Sequence, residues 1–348
     1  MGGFLDTLIF LSVIAVSWLS TWLAHHFPEY KKPFLGMGIS VMALHLFFWK
    51  YAPRLSGEVI KIYPDFLGGN KLILPLPVGI SFFTLQGIAY LIDFARGAAS
   101  FIPFKEYTLF KSFFAQLVAG PIVRVHELLP QLRKLRTPSL DDISIGLSFF
   151  CMGFFKKIMI ADRCAPLVNQ AFANPGAFSR QNLIIAVLGY AAQIWADFSG
   201  YTDMGRGVAR ILGIHLPENF LSPYLEKSSS EFWTRWHITL SQWIRDYIYI
   251  PMGGNRGSRF HSSLTLLAAM AISGVWHGAN WTFLIWGLYH GLLLIGQRAI
   301  RWSGLQSFIN QSFLWIPSNK SHSILILKIF LLRKACALLC RNNIKCSK

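Results

Sequence analysis

Apolar runs approaching twenty residues recur along this chain, separated by short polar connections, and that repetition rules out most folds. A helix that crosses a bilayer needs roughly 20 mostly apolar residues, because the hydrocarbon core is about 30 Å thick and each residue rises about 1.5 Å. Phe4–Ala24, Pro33–Ala52 and Leu72–Ile92 meet that length. Ile143–Ile160, Leu183–Ala196, Leu264–Val275 and Trp281–Ile295 are further candidates. Three of these are short and need flanking residues, tilt or a buried position. Of the 348 residues, 53% are hydrophobic and 14% charged, whereas soluble domains carry about 25% charged residues. Backbone polar groups cannot go unpaired in lipid, and no alternating ten-residue pattern suggests a barrel. The expected fold is all-α: a polytopic integral membrane protein with about 7–9 membrane helices, plus re-entrant and amphipathic interfacial helices.

The first apolar run is read as a retained helix and not a cleaved leader. Met1-Gly2-Gly3 supplies no basic region before it, and His25-His26-Phe27-Pro28 is no small-residue cleavage site. The formal net charge is +17, from 33 Lys and Arg against 16 Asp and Glu. The basic clusters Lys31-Lys32, Arg133-Lys134-Arg136, Lys156-Lys157 and Arg298–Arg301 fall between apolar runs. That placement suits loops and anionic-lipid contacts better than nucleic acid, and no nucleic-acid motif is present. A functional share of these cations could bind an anionic donor or an anionic glycan, and their spread over many loops assigns no orientation. None of the five cysteines forms a Cys-x-x-Cys pair, so no zinc site is expected; three of them, Cys336, Cys340 and Cys346, read as free thiols of a tail.

The polar connection Arg54–Lys71 is the longest, and Arg133–Asp142 ends in a helix start with Ser139 as cap. Asp197–Ser230 combines Gly200, Gly205, Gly207 and Gly213 with Asp197, Asp203, Arg206 and Arg210, and reads as a broken or re-entrant element, either buried in protein or lining a cavity. Glu231–Ile250 reads as one amphipathic helix, with Trp233, Trp236, Leu240, Trp243, Tyr247 and Ile250 forming an aromatic stripe at three- and four-residue steps. Pro251-Met252-Gly253-Gly254-Asn255 stops it.

Ionisable groups inside a membrane are expensive, which makes them functional candidates. His277, in Gly274-Val275-Trp276-His277-Gly278-Ala279-Asn280, is either a general base or an interfacial histidine bonded to a carbonyl. His237, Ser241 and Arg245 fall on one flank of the aromatic helix, either lining a polar tunnel or forming a solvated edge. Asp197 and Asp203 are expected to pair with Arg206, Arg210 or backbone donors, and His290 to be a packed histidine. No Gly-x-Ser-x-Gly elbow, phosphate-binding loop or His-Glu-x-x-His helix is present.

The run Phe232-Trp233-Thr234-Arg235-Trp236-His237-Ile238-Thr239-Leu240-Ser241-Gln242-Trp243-Ile244-Arg245-Asp246-Tyr247 resembles the signature of the membrane-bound O-acyltransferase family, as does Tyr249-Ile250-Pro251-Met252-Gly253-Gly254-Asn255. Trp276-His277-Gly278-Ala279-Asn280-Trp281 is similar to that family's second histidine motif. Gln116-Leu117-Val118-Ala119-Gly120-Pro121-Ile122-Val123-Arg124 and Asp197-Phe198-Ser199-Gly200-Tyr201-Thr202-Asp203-Met204 complete an ordered set, closest to the bacterial alginate O-acetyltransferase branch. The resemblance runs from about residue 72 to 297, within a membrane domain taken as 1–302, followed by a divergent tail, 303–348.

The resemblance implies a multi-pass protein of the bacterial cytoplasmic (inner) membrane. It implies His277 as catalytic residue and His237 as the second histidine of a tunnel, stabilising the oxyanion or orienting the acyl group. Asp197, Asp203, Trp236, Ser241, Arg245, Trp276 and Asn280 are the implied tunnel-lining or substrate positions. No resident cofactor or metal is implied. The acyl donor would be cytoplasmic acetyl-CoA and the acceptor an exported polysaccharide such as alginate, with a periplasmic acetyl-relay protein and membrane lipids as partners. The related teichoic-acid branch uses a carrier-protein thioester instead. The family usually carries more helices at both ends, which implies a truncated or frameshifted chain. The alternatives are a transporter, which two related halves would mark, and a non-catalytic remnant.

Overall fold

The computed structural model describes residues 3–62 and 76–303. The parts of the Leu72–Ile92 run and of the Arg54–Lys71 connection that fall within 63–75 lie outside them, as do residues 304–348 of the tail with Cys336, Cys340 and Cys346.

The described chain is helical. α1 is Phe4–His26, α2 Lys31–Ile62, α3 Ile80–Ala95, α4 Phe104–Ser112, α5 Phe114–Leu117 and α6 Val125–Arg133. α7 (Leu140–Phe155) passes through a π-helical stretch, Lys156–Ala161, into α8 (Asp162–Ala173), and α9 covers Arg180–Ile211. α10 is Ser229–Arg235, α11 Ile238–Ile244, α12 Arg259–His277 and α13 Trp281–Trp302. No strand occurs among the described residues, only an isolated antiparallel bridge between Phe220 and Trp236. Five helical stretches are long and apolar enough to span a bilayer: Phe4–His26, Pro28–Gly57, Leu140–Ala173, Arg180–Ile211 and Trp281–Trp302, with Ile80–Ala95 a shorter apolar helix. Their lipid-facing surface stays apolar, with Leu44, Leu147, Ile184, Ile185 and Leu292 all exposed. The protein is an all-α polytopic membrane protein.

Helix ends follow local chemistry. At the start of α7, Ser139 Oγ accepts from the Asp142 amide at 3.1 Å, and the Ser139 amide donates to Asp142 Oδ2 at 3.0 Å, a reciprocal capping box. Ser228 caps α10 by accepting from the Glu231 amide, and Ser258 caps α12 by accepting from the His261 amide. α2 continues through Pro53 to Ile62, so its polar end is helical and not the start of a connection at Arg54.

Two compact units form, Met1–Ser148 with Gly205–Pro217, and Phe149–Met204 with Glu218–Lys348. The first is built on a buried cluster that includes Tyr90, Tyr107, Phe110, Leu128 and Ala209. Inside it the fully buried Lys111 donates to the Phe83 carbonyl, and Gln86 donates to Gln116 at 2.9 Å. Burial pushes the Lys111 ammonium down to about 7.

The structure departs from the sequence reading in two places. Asp197–Ile211 is not broken: it continues α9 as regular helix, and the irregular chain begins only after Ile211. The glycines serve close packing. A Cβ on Gly153 would stand 2.5 Å from the Gly200 carbonyl oxygen, so only glycine lets these two helices approach. That approach brings lysines to the aspartates: Lys156 Nζ lies 2.6 Å from Asp203, and Lys157 Nζ lies 2.7 Å from Asp197 and 2.8 Å from Asp162. Lys156-Lys157 is therefore no loop cluster but a set of helix-borne cations answering carboxylates. Arg210, in the first unit, pairs with Asp142 at 2.8 Å.

The second departure is Glu231–Ile250, which is not one helix. α10 ends at Arg235, Trp236 is extended, and His237 sits at φ +43° before α11 begins. A π-helical stretch, Arg245–Tyr249, follows. Periodicity continues across the break because each half is helical, so a reading by spacing alone could not detect it.

Candidate active site

The break at Trp236–His237 has a cause. The Asn219 carbonyl oxygen accepts from the Ile238 amide at 3.0 Å, and Leu221 donates to the Arg235 carbonyl at 3.0 Å, so the segment after α9 is stitched into the gap between α10 and α11. A β-carbon at positive φ costs of order 1–3 kcal/mol and persists only where surroundings over-determine it, commonly at functional sites. His237 is 2% exposed. Its Nδ1 lies 3.2 Å from Asn219 Oδ1, which also accepts from the Thr239 amide at 3.2 Å and from its hydroxyl at 3.0 Å. Burial lowers the pKa of His237 and holds it neutral.

The rings around His237 are Phe198 at 4.7 Å, Phe220 at 6.4 Å and Trp276 at 6.2 Å between centroids. Trp276 in turn lies 4.8 Å from His277, so one indole touches both motif histidines. His277 ends α12 and is half-buried. Trp286 stands 5.0 Å from it and 4.8 Å from His290, which Trp233 meets at 5.1 Å. His290, 2% exposed, is a packed histidine as its sequence position suggested. The α12–α13 hairpin holds these rings. Gly274 and Gly287 face each other so closely that an added Cβ on Gly274 would collide with the Phe283 carbonyl oxygen, and one on Gly287 with that of Met270.

A cavity of about 700 Å³ meets this ring chain at Trp233, while His237, Trp276 and His277 are not among its lining residues. Ser241 and Arg245 line it, as do Trp233 and, one turn before His277, Ser273. Its floor is apolar, from Leu240, Ile244, Leu266, Met270 and Trp302, and its polar wall carries Arg259, Arg298 and Arg301 with Arg245. No Asp or Glu is among these lining residues. Arg298 is held by Tyr249 OH at 2.9 Å and Ser262 Oγ at 3.2 Å, while Arg245 pairs with Asp246 at 2.8 Å.

Of the expected lining positions, Ser241 and Arg245 thus face the cavity, Trp236 packs under Phe220 with centroids 5.0 Å apart, and Trp276 bridges the histidines. Asn280 is exposed at the start of α13, and Asp197 and Asp203 belong to the lysine pairs. Among the described residues no group of three or more His, Cys, Asp or Glu is placed to hold a metal. Asn219 and Arg259 had no part in the sequence reading, and Arg298 and Arg301 entered it only as one of several basic clusters. Asn219 carries no local signal in Pro217-Glu218-Asn219-Phe220, and Arg298 and Arg301 looked like ordinary loop cations.

The model of MBOAT, the membrane-bound O-acyltransferase family, matches residues 11–327. The chain belongs to the membrane-bound O-acyltransferase family. Within this family it is 40% identical over 271 residues to the "Probable alginate O-acetylase AlgI" of Azotobacter vinelandii, covering 77% of this chain and 54% of that protein. It is 38% identical over 297 residues to the "Peptidoglycan O-acetyltransferase" of Helicobacter pylori, covering 78% and 56%. The "Teichoic acid D-alanyltransferase" of Bacillus subtilis is more distant, 28% identical over 267 residues, covering 72% and 65%. The chain spans about half the length of the O-acetylase relatives it matches.

Proposed function

We propose that this O-acyltransferase-family protein moves an acetyl group from a cytoplasmic thioester, acetyl-CoA, to a hydroxyl of an exported polysaccharide, working in the bacterial inner membrane. The single observation that carries the reading is the ring chain His237–Trp276–His277, which gathers the two motif histidines around one indole, each four residues from a serine, Ser241 or Ser273, that lines a large cavity.

The chemistry needs little more than a base and alignment, because a thioester is already activated. His277 takes the proton of the acceptor hydroxyl as its oxygen attacks the thioester carbonyl carbon. The tetrahedral intermediate collapses, the C–S bond breaks, and the proton passes to the departing thiolate. A new ester and a free thiol result. A positioned base contributes typically about 10²–10⁴-fold, and alignment of the two substrates adds to it. His237 orients the reacting groups. The arginines that line the cavity suit the phosphates of a coenzyme A thioester, and the apolar floor suits its pantetheine arm. The names of the alginate and peptidoglycan relatives support acetyl as the acyl group and a polysaccharide as acceptor. A periplasmic acetyl-relay protein is the partner this reading expects on the acceptor side, with lipids around the helices.

The test supplies acetyl-labelled acetyl-CoA to membranes that contain this chain and an exported polysaccharide. Label in base-labile ester on the polysaccharide supports the reading. Label that stays on the donor, from a chain shown to be inserted and folded, overturns it. Uptake of an intact solute without ester formation would favour a transporter.

A further inference from the structure

The environment of His237 decides which of its ring nitrogens carries the proton. Asn219 Oδ1 faces the Thr239 backbone amide at 3.2 Å, and a backbone amide can only donate. That contact identifies the facing Asn219 atom as the oxygen, since the side-chain nitrogen would set donor against donor. The same oxygen lies 3.2 Å from His237 Nδ1. A bare Nδ1 would set lone pair against lone pair, so Nδ1 carries the hydrogen and donates to Asn219. With the imidazole neutral, Nε2 then holds the lone pair. Asn219 is 1% exposed and Thr239 3%, so water does not compete for this arrangement.

We infer that Asn219 is a positioning residue that holds His237 as its Nδ1–H tautomer, leaving Nε2 as the acceptor nitrogen of the ring. The inference rests on the acyl-transfer reading for its consequence, though not for the tautomer itself. Of the two roles the resemblance implied for His237, it favours orientation. Stabilising an oxyanion needs an N–H aimed at it, and this tautomer aims a lone pair. The strained φ of +43° sets the ring where Asn219 can reach it. The neighbours that face the ring are Phe198 from α9, Phe220 and Asn219 from the segment after α9, Thr239 from α11 and Trp276 from α12; the titratable His277 follows beyond Trp276.

The experiment uses the full chain in membranes, with ¹⁵N-labelled histidine and His237→Gln to assign the signal. In the wild type we expect a protonated Nδ1 and a non-protonated Nε2. Protonation at Nε2 would overturn the inference whether or not the chain transfers acetyl, and a protein inactive in transfer would still report its tautomer. Asn219→Asp keeps an acceptor and adds a negative charge, which favours imidazolium; transfer should persist with the acidic limb of its pH profile moved upward. Asn219→Leu removes the acceptor and should lower kcat by about 10²-fold with KM little changed, since holding a histidine tautomer is worth up to about 10⁴ elsewhere. Unchanged kcat and pH profiles in both variants would remove Asn219 from the mechanism.

Discussion

In the unit of Met1–Ser148 and Gly205–Pro217, three deeply buried polar side chains face neighbours that match them: Lys111 a carbonyl, Gln86 another glutamine, Tyr107 the hydroxyl of Ser17 at 2.7 Å. In the unit of Phe149–Met204 and Glu218–Lys348, two histidines share an indole, and four arginines line a cavity with no Asp or Glu among its lining residues. Backbone irregularity is distributed likewise, since the positive φ at His237 and both π-helical stretches fall in the second unit. Buried polarity that is locally matched braces a structure, whereas polarity left facing a cavity is available to a substrate.

Substitutions can break this contrast. The largest effect is expected from Gly274→Leu, whose side chain has no room against Phe283 and Gly287. Overpacking of this kind costs upward of about 1–3 kcal/mol, and detergent extraction should yield aggregated protein. His277→Ala should reduce labelled-acetyl transfer by about 10²–10⁴-fold while membrane insertion and thermal midpoint stay at wild-type values; near-normal transfer would remove His277 as the base. Arg298→Gln should raise the donor KM about tenfold with kcat nearly constant, equivalent to about 1.4 kcal/mol of binding, and the wild-type KM should rise with ionic strength while the variant's rises less. The smallest effect on transfer is expected from Lys111→Met. Replacing a buried ion by an apolar residue of similar volume is often neutral or stabilising by about 1–4 kcal/mol, so the thermal midpoint should hold or rise. The sign with pH is definite. Lys111 titrates at about 7 in the folded protein and about 10.4 unfolded, so the unfolded chain binds more protons between those values and wild-type stability rises with pH across that window. Lys111→Met should flatten that rise in thermal midpoint; a parallel profile would mean Lys111 is not buried as described.

The helices were legible because apolar length is a local property. Phe4–Ala24 became Phe4–His26, and Trp281–Ile295 became Trp281–Trp302, differing only at the ends. The Ser139 cap was also readable, since a cap is specified within four residues. The aromatic stripe misled because Trp233, Trp236, Leu240 and Trp243 keep helical spacing across an extended residue that Asn219 imposes from outside. The glycines of α9 misled in the opposite sense. Alone they suggest a broken helix, but packed against Gly153 they are the reason an intact helix can approach.

By itself the amino-acid sequence determined that the chain lies in a membrane, that it is helical, and that two histidine motifs set it in an acyltransferase family. Those properties follow from apolar length and residue order, which need no knowledge of what lies across from each side chain. The tertiary structure decided that Lys156 and Lys157 answer aspartates, that four arginines share one cavity, and that Asn219 faces His237. Each of these is a contact between segments far apart in the chain, and a charge or a lone pair acquires its role only from the atom it faces.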